Sequence, residues 1–220
     1  MKIGMIGTGN IGFSLGRLLV ESGHEVKFGS RDPARVRDEV TKFGPGASAG
    51  TVREAAQFGD VVFTAVPWHA VPETLKAAGP LAGKVLVDCT NPLTKEMNLA
   101  VGCTTSAAEE AAKLCPDASV VKAFNTIFAG IYRSGDLGSG DRRLNMFFCG
   151  DNPAAKKTVV GIIESLGLVP VDAGPLSEAR YIEPLAVFMI RLAFVQGMGG
   201  DIAWKLIKHQ PDAARFTDGI

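Results

Sequence analysis

The sequence is poor in the residues that bind metals or form disulfides. Its 220 residues include only four cysteines and three histidines. Zinc sites and disulfide frameworks need such residues at close spacing, and the chain has no Cys-x-x-Cys pair. The composition therefore argues against a metal centre and against a disulfide-stapled fold.

The chain also lacks an excess of one charge and a long apolar run. Lys plus Arg and Asp plus Glu both number 23, so the basic excess that draws proteins to nucleic acid or anionic membranes is missing. The first apolar run, Ile3 to Ile6, is too short for a signal-peptide core. A later run, Leu185 to Val195, is interrupted by Arg191 and falls short of the about 20 residues that span a bilayer. We therefore expect a cytoplasmic protein whose partners are small molecules, with no nucleic acid and no membrane.

What the sequence does contain is a regular alternation of strand and helix patterns. Short apolar runs alternate with helix-spaced segments as far as Asp172. Right-handed crossovers join such strands into a sheet with helices on both faces. The sequence thus predicts an α/β protein with a Rossmann-type, doubly wound, mainly parallel sheet over residues 1–172. Residues 173–220 are predicted to form a small C-terminal helical segment.

Glycine is abundant, and its spacing near the N-terminus is the strongest functional signal. In a motif that follows a strand and opens a helix, Gly7 permits a tight turn and Gly9 lets the backbone approach a pyrophosphate. Gly12 lets the helix lie close to its strand. This arrangement predicts a dinucleotide site. The motif consists of Gly7, Thr8, Gly9, Asn10, Ile11 and Gly12.

The tip of the second strand indicates which dinucleotide is bound. Proteins that prefer NAD carry an acidic residue there, whereas this chain has Ser30 and Arg31, which favours NADP. Asp32 precedes Pro33, and we interpret it as the N-cap of the next helix. Arg35 is either a second cation for the phosphate or a solvated surface residue.

Further candidates follow the predicted strands four, five and six. Ligands of doubly wound sheets bind beyond the carboxyl ends of the strands, so these residues should line the cofactor crevice. We interpret His69 as a loop residue that shapes the pocket, with proton donation as the alternative. Asn91 offers a donor and an acceptor to ribose or to a carboxamide, or is a turn residue before proline. The candidates are Val66, Pro67, Trp68, His69, Asn91, Asn125 and Thr126.

The segment after Asp172 has a different pattern. Pro184 is predicted to break or kink a short helix, and a longer apolar helix is predicted from Leu185 to Gln196. Arg191 lies beside the apolar face of that helix. We interpret the helix as a cover for the sheet edge or a homodimer interface. A wall of a second-substrate site is the alternative.

Four motifs together resemble those of a known family. With them, the chain resembles the NADPH:coenzyme F420 oxidoreductase family from Met1 to about Ile207. The glycine loop is common to many families, whereas the last motif in this position is much more specific. The motifs are the glycine loop, Gly29-Ser30-Arg31, Val121-Lys122-Ala123-Phe124-Asn125-Thr126-Ile127 and Asp172-Ala173-Gly174-Pro175-Leu176-Ser177.

The resemblance implies cofactors, contacts and an assembly. NADP(H) would be the cofactor, and coenzyme F420, or FMN or FAD, would be the electron acceptor. A homodimer would form through the C-terminal helices. By the same likeness, the 2′-phosphate region of NADP is held by Thr8, Ser30, Arg31 and Arg35, and the acceptor is faced by Gly174, Pro175 and Leu176.

One position departs from the family pattern. Members that use the deazaflavin tend to carry His before Thr-Ile, where this chain has Asn125. The version Phe124-Asn125-Thr126-Ile127 is similar to the cytosolic domain of six-transmembrane metalloreductases, which pass electrons from NADPH through a flavin to ferric or cupric ions. Flavin-linked metal reduction is therefore the alternative to reduction of a deazaflavin or flavin.

The predicted reaction is hydride transfer between the nicotinamide and the central ring of a deazaflavin or flavin. Such a transfer requires stacked rings at roughly 3 to 3.5 Å and excluded water, and no protein acid or base. We therefore name no catalytic residue. The segment after Asp172 is too short for the large helical domain of hydroxy-acid or imine dehydrogenases. A module that senses NADPH without turnover is the non-enzymatic alternative.

Overall fold

A single sheet organises the described part of the chain. The computed structural model describes residues 1–208, and residues 209–220 of the predicted C-terminal segment lie outside the described residues. Within residues 1–208 the strands are β1 (Lys2–Ile6), β2 (Glu25–Ser30), β3 (Ala47–Thr51), β4 (Val61–Thr64), β5 (Val85–Asp88), β6 (Ser119–Lys122), β7 (Asn145–Gly150) and β8 (Val169–Asp172). Their order across the sheet is β3-β2-β1-β4-β5-β6-β7-β8.

The helices cover both faces of this sheet. Within the same residues they are α1 (Asn10–Glu21), α2 (Pro33–Thr41), α3 (Val52–Phe58), α4 (Val71–Ala78), α5 (Ala107–Leu114), α6 (Ala129–Ser134), α7 (Pro153–Ser165) and α8 (Ala179–Phe194). Single 3-10 turns occur at Trp68–Ala70, Gly140–Arg142 and Leu176–Glu178. The sequence patterns predicted neither α4 nor α6.

Strand direction decides where the ends of the strands meet. The neighbours from β3 to β6 are all parallel, so β1, β2, β4, β5 and β6 end at one edge, which we term the carboxyl edge. β7 is antiparallel to β6, and β8 is parallel to β7. β8 therefore runs in the opposite direction to β6, and its last residue, Asp172, lies level with the end of β6. The predicted Rossmann-type, mainly parallel fold is confirmed.

The core lies in two layers, one on each face of the sheet. Helices α1, α6 and α7 bury apolar residues against one face, including Leu15, Tyr132 and Ile162. Helices α4, α5 and α8 cover the other face, with Leu75 and Ile182 among the buried residues. Burial of each large apolar side chain stabilises the fold by about 1.5–3 kcal/mol. All four residues of β4 are buried, as expected for a central strand covered on both faces.

Helix α8 differs from the prediction. The chain forms one continuous helix from Ala179 to Phe194 with Pro184 inside it, so the proline does not end the helix. An internal proline costs about 3 kcal/mol. Burial of Ile182, Ala186 and Val187 on either side offsets that cost, which is how tertiary packing outweighs local propensity here.

Candidate functional site

The glycine loop connects β1 to α1 at the carboxyl edge. Gly7 has φ +111°, and a Cβ there would collide with the carbonyl of Ala65, which directly follows β4. A Cβ on Gly12 would collide with the Gly7 carbonyl. Gly9 differs, because no protein atom in the described structure lies within 4 Å of the Cβ position there. The first two glycines are therefore required by the fold itself, while Gly9 leaves open space in front of the loop.

The start of α1 is free to bind an anion. Gly9 is the N-cap, and among the described residues no side chain caps this terminus. The first turn, which includes Asn10 and Ile11, contains no acidic residue. Unpaired N–H groups and the helix dipole together favour a negative charge at such a terminus.

The tip of β2 places two cations next to this loop. Asp32 caps α2, with its Oδ1 accepting the N–H of Arg35 at 3.3 Å, which confirms the predicted capping role. The hydroxyl of Ser30 accepts the N–H of Asp32 at 3.1 Å and donates to the Asp32 carbonyl at 3.0 Å. Arg31 and Arg35 are exposed and form no salt bridge within residues 1–208.

The residues after β4 lie against the glycine loop. A Val66 methyl group is 3.0 Å from the Cβ position of Gly7, so the two segments are in direct contact. Pro67 and His69 are exposed, and Trp68 is half-buried against the core. His69 makes no side-chain hydrogen bond with the described residues that would fix it as a proton donor.

The ends of β5 and β6 are joined by a pair of asparagines. Asn91 Nδ2 donates to the Asn125 carbonyl at 3.0 Å, and Asn125 Nδ2 donates to Asn91 Oδ1 at 3.0 Å. A main-chain carbonyl only accepts, so the first bond fixes the orientation of the Asn91 amide and, through it, that of Asn125. The structure thus brings together two residues that lie far apart in the sequence.

Several buried oxygens near this pair have no partner among the described residues. They include Asn125 Oδ1, Thr126 Oγ1 and Thr90 Oγ1. A buried polar group without a partner costs about 1–3 kcal/mol, so these oxygens are open to a ligand or to water.

Phe124, directly before Asn125, has a strained backbone. Its φ of 64° lies in the left-handed region, which costs a bulky residue about 1–3 kcal/mol. The ring packs on Phe63 with centroids 5.4 Å apart, and the N–H donates to Met146 Sδ at 3.0 Å. These contacts hold a conformation that turns the chain at the carboxyl edge, and the strand pattern gave no sign of it.

A buried charge cluster lies beneath the asparagine pair. Lys122 Nζ lies 2.8 Å from Asp88 Oδ2, 2.9 Å from Glu183 Oε1 and 2.6 Å from the Thr90 carbonyl. We term these groups the Lys122 cluster. Burial by itself lowers the pKa of Lys122, but the carboxylates of Asp88 and Glu183 outweigh it and raise that pKa above its usual range. Sequence reasoning missed the cluster; the only signal was a lysine inside an apolar strand.

The turn at residues 174–176 lies beside the last residues of β6. The N–H of Gly150 donates to the Gly174 carbonyl, and Gly150 pairs with Val121, one residue before the end of β6. Pro175 is exposed, and Leu176 is buried in the core. The contact of this turn with an electron acceptor stays a prediction.

The end of helix α8 lies at the carboxyl edge. Its end meets the chain after β6, where Phe194 and Phe128 pack edge to face with centroids 5.6 Å apart. Beside them is a cavity of about 290 Å³, lined by Asn10, Phe128, Ala129, Gly130, Arg133, Phe194, Gly200 and Asp201. We term it the aromatic cavity. A larger groove of about 610 Å³ between α4 and α5 contains none of the predicted site residues and opens near the start of β6.

The two ends of the site therefore offer different chemistry, and both fit NADP(H). The adenosine end comprises the glycine loop and the β2 tip, where uncapped N–H groups and two cations suit a diphosphate and a 2′-phosphate. The reaction end comprises Asn91, Asn125 and Thr126, whose amides and hydroxyl suit a nicotinamide and its ribose. The Lys122 cluster is buried beneath these residues and does not face the ligand.

The chain is similar to known NADP-dependent oxidoreductases. The family described as NADP oxidoreductase, coenzyme F420-dependent, matches residues 2–92. The structure of a proposed F420-dependent NADP reductase from Arthrobacter sp. FB24 matches with 30% identity and a TM-score of 0.83, covering 94% of this chain and 100% of that one.

Metalloreductases are also among the relatives. The chain is 36% identical to metalloreductase STEAP3 of Rattus norvegicus over 189 residues and 31% identical to metalloreductase STEAP2 of Homo sapiens over 193 residues. Each match covers 86% of this chain and 37% of the relative, so the chain spans little more than a third of their length. Within residues 1–208, no helix is long and apolar enough to cross a membrane.

Proposed function

Because the chain belongs to the family of coenzyme F420-dependent NADP oxidoreductases, we propose that it transfers a hydride between NADP(H) and the ring system of a deazaflavin or flavin. The bound dinucleotide supplies or accepts the hydride at its nicotinamide ring. The protein contributes binding, orientation and exclusion of water, and the reaction needs no protein acid or base.

The adenosine end supports this proposal most strongly. The uncapped start of α1 and the open space at Gly9 suit the diphosphate. Arg31 and Arg35 are exposed and without an ion pair within the described residues, so both are available for a 2′-phosphate. Guanidinium groups bind phosphate oxygens in pairs. The single observation on which the choice of NADP over NAD rests is that the Asp32 carboxylate caps α2.

The reaction end supports a fixed nicotinamide. The Asn91 and Asn125 amides are locked in one orientation by their reciprocal hydrogen bonds. Unpartnered oxygens of Asn125 and Thr126 lie at the same strand end. These groups would hold the carboxamide and ribose, and the positions beyond β4, Val66 to His69, would form the wall.

The aromatic cavity is the proposed place for the electron acceptor. Its volume of about 290 Å³ is at the lower end of ligand pockets, which suits a flat ring system with the rest of the coenzyme outside. Phe128 and Phe194 give it an apolar wall, and Arg133 and Asn10 give it polar atoms. The contacts of Gly174, Pro175 and Leu176 with the acceptor, implied by the family resemblance, stay a prediction.

A second candidate is flavin-linked reduction of ferric or cupric ions. The similarity to STEAP3 and the sequence Phe124 to Ile127 favour it. A flavin that accepts a hydride can pass electrons on singly, whereas a deazaflavin exchanges a hydride, so the nature of the acceptor separates the two candidates.

The test is a panel of acceptors with the purified protein and NADPH. Coenzyme F420, FMN, FAD with a ferric chelate and a quinone are supplied separately, and NADPH oxidation is followed. Turnover with F420 or a free flavin supports the proposal, and turnover only with flavin and ferric chelate supports the second candidate. NADPH binding without consumption by any acceptor would instead support a non-catalytic sensor.

A homodimer built on α8 is part of the proposal. Tyr181, Phe188 and Val195 are each at least half exposed and follow one another at seven-residue spacing, so they share one helix face. An exposed apolar stripe of this kind is typical of an interface. Light scattering would test it, and a monomer at micromolar concentration would contradict it. The cytoplasmic location stays a prediction.

A further inference from the structure

Lys122 has every hydrogen-bonding position of its ammonium group occupied. The side chain is fully buried, and its three partners come from three different segments: the end of β5, the loop after β5, and α8. An ammonium group has three donors, so the geometry around Nζ is complete.

Stability alone does not account for this arrangement. Buried ion pairs can often be replaced by packed apolar residues with no loss of stability. Two of the partners, Asp88 and Glu183, are carboxylates that such a replacement could also remove. The third partner is the main-chain carbonyl of Thr90 at 2.6 Å, which no apolar side chain can bind.

The Thr90 carbonyl is next to the reaction end. Asn91 follows it directly and is hydrogen-bonded to Asn125, which lies three residues after Lys122 in the chain. The contacts therefore form a closed ring: Lys122 binds Thr90, Asn91 binds Asn125, and the peptide from residue 122 to 125 completes it. The strained backbone of Phe124 is part of that ring.

We propose that Lys122 is a positioning residue for hydride transfer, which holds the Thr90–Asn91 segment against Asn125 so that the nicotinamide end of the dinucleotide binds in one orientation. The inference rests on the proposed function and deepens it at the reaction end. The adenosine end makes no contact with the cluster, so its binding does not depend on Lys122.

Glu183 provides a matched control. It is as buried as Lys122 and belongs to the same cluster, but its remaining contacts are the N–H groups of Ala107 and Ala108 at the start of α5, at 2.9 and 3.1 Å. Removing its charge disturbs the cluster without removing the bond to Thr90.

Two variants carry the test. E183Q leaves Lys122 paired with Asp88 and keeps the bond to the Thr90 carbonyl. The triple variant D88N/K122M/E183Q also leaves no net charge buried, but it loses that bond. K122M alone would strand two buried carboxylates and strongly destabilise the fold, so it is not used.

Three quantities are measured for both variants and the wild type: the Tm, the affinities for adenosine 2′,5′-bisphosphate and for NADPH, and the single-turnover rate of hydride transfer to the acceptor that the panel identifies. We expect all three proteins to bind the bisphosphate within about twofold, because the adenosine end is intact. We expect E183Q to match the wild type within about threefold in NADPH affinity and rate.

The triple variant is expected to impair the reaction end and to leave the adenosine end intact. A displacement of about 1 Å can cost a hundredfold in rate, so we expect transfer about 10- to 100-fold slower and NADPH binding about tenfold weaker, at a Tm close to that of E183Q. Wild-type NADPH affinity and rate in a stable triple variant would overturn the inference. So would equal losses in both variants. A wild type that binds the bisphosphate and not NADPH would overturn it as well, and one that binds neither would remove the proposed function first.

If the triple variant does not fold, hydrogen exchange in the wild-type protein decides. The inference requires the amides of Thr90 and Asn91 to exchange as slowly as those of β5 and far more slowly than those of the loop 94–103. Exchange of these two amides at the rate of that loop would show that Lys122 does not hold the segment.

Discussion

The two ends of the site are built in opposite ways. The adenosine end is a surface of exposed cations and free backbone N–H groups, and the part of it most open to solvent, Arg31 with Arg35, has no ion pair within residues 1–208. At the reaction end, Lys122 is fully buried and bound on every side. The charged groups of the adenosine end are available to a ligand, whereas those of the reaction end are paired with one another within the protein.

This difference matches what each end would have to do in the proposed reaction. A phosphate carries full charge and can be recognised by flexible cations in water, since charge-assisted hydrogen bonds tolerate some variation in geometry. A nicotinamide that exchanges a hydride must be held to within a fraction of an ångström. Affinity is therefore expected to come mainly from the exposed end, and rate mainly from the buried end.

The largest expected effect combines a loss of stability with a loss of NADPH binding. Gly12→Ala would push a Cβ into the Gly7 carbonyl, so the loop and α1 must separate. We expect the free energy of unfolding to fall by about 1–3 kcal/mol and NADPH binding to drop by more than about a hundredfold. Thermal unfolding and a binding titration measure the two effects.

Gly9→Ala is the control, because no protein atom of the described structure lies near that Cβ position. Its Tm should stay within about a degree of the wild type, while NADPH affinity falls if the diphosphate approaches there. Unchanged affinity would place the diphosphate elsewhere.

The next effect should appear at the adenosine end only. Arg31→Ala removes a cation that would bind the 2′-phosphate, and a charge-assisted hydrogen bond contributes about 1.5–3 kcal/mol. We expect NADPH affinity to fall about 10- to 100-fold with NADH affinity unchanged. Binding titrations with both nucleotides measure the difference.

Arg37→Ala is the matched control for this substitution. Arg37 is an exposed arginine of the same helix as Arg35, with no salt bridge within residues 1–208. It should leave both affinities unchanged. Equal losses of NADPH and NADH in Arg31→Ala would remove the 2′-phosphate assignment.

The smallest expected effect concerns the attachment of α8. Arg180 donates two hydrogen bonds to Glu109, at 2.9 and 2.6 Å, and these lower the pKa of the Glu109 carboxyl. A lowered carboxyl pKa stabilises the fold above the unfolded pKa of about 4.3, and that stabilisation is lost as pH falls through the folded value. The pair is partly exposed, so we expect Glu109→Gln to cost less than about 1 kcal/mol at pH 7.

The dependence on pH is the sharper part of this prediction. The stability difference between the wild type and Glu109→Gln should shrink as the pH falls below about 4, measured by denaturant unfolding at several pH values. A difference that is constant with pH would mean that the ion pair does not stabilise α8.

The sequence allowed the adenosine end to be predicted because its signals are local. The glycine loop, the Asp32 cap and the β2 tip each occupy a few consecutive residues, and turn and cap preferences depend on backbone geometry within one helical turn. The strand-helix alternation likewise predicted the fold, since each element has its own apolar period.

The reaction end could be predicted only in part, because its contacts join distant segments. Asn91 and Asn125 were recognised as strand-end residues, but their pairing, the Lys122 cluster and the strain at Phe124 depend on which strands are neighbours. The reversal of β7 also has no local sequence signal. The continuity of α8 through Pro184 also depends on tertiary burial.

Contacts near both of its ends constrain how long α8 can be. The helix begins at Ala179, places Glu183 beside Lys122 at the end of β6, and ends at Phe194, which meets Phe128. Its 16 residues advance about 24 Å at about 1.5 Å each. One inserted residue would turn everything beyond it by about 100°, moving the aromatic wall of the cavity and the outward stripe out of alignment. Insertions and deletions should therefore be tolerated in the surface loops and selected against in this helix, even at positions where substitutions are tolerated.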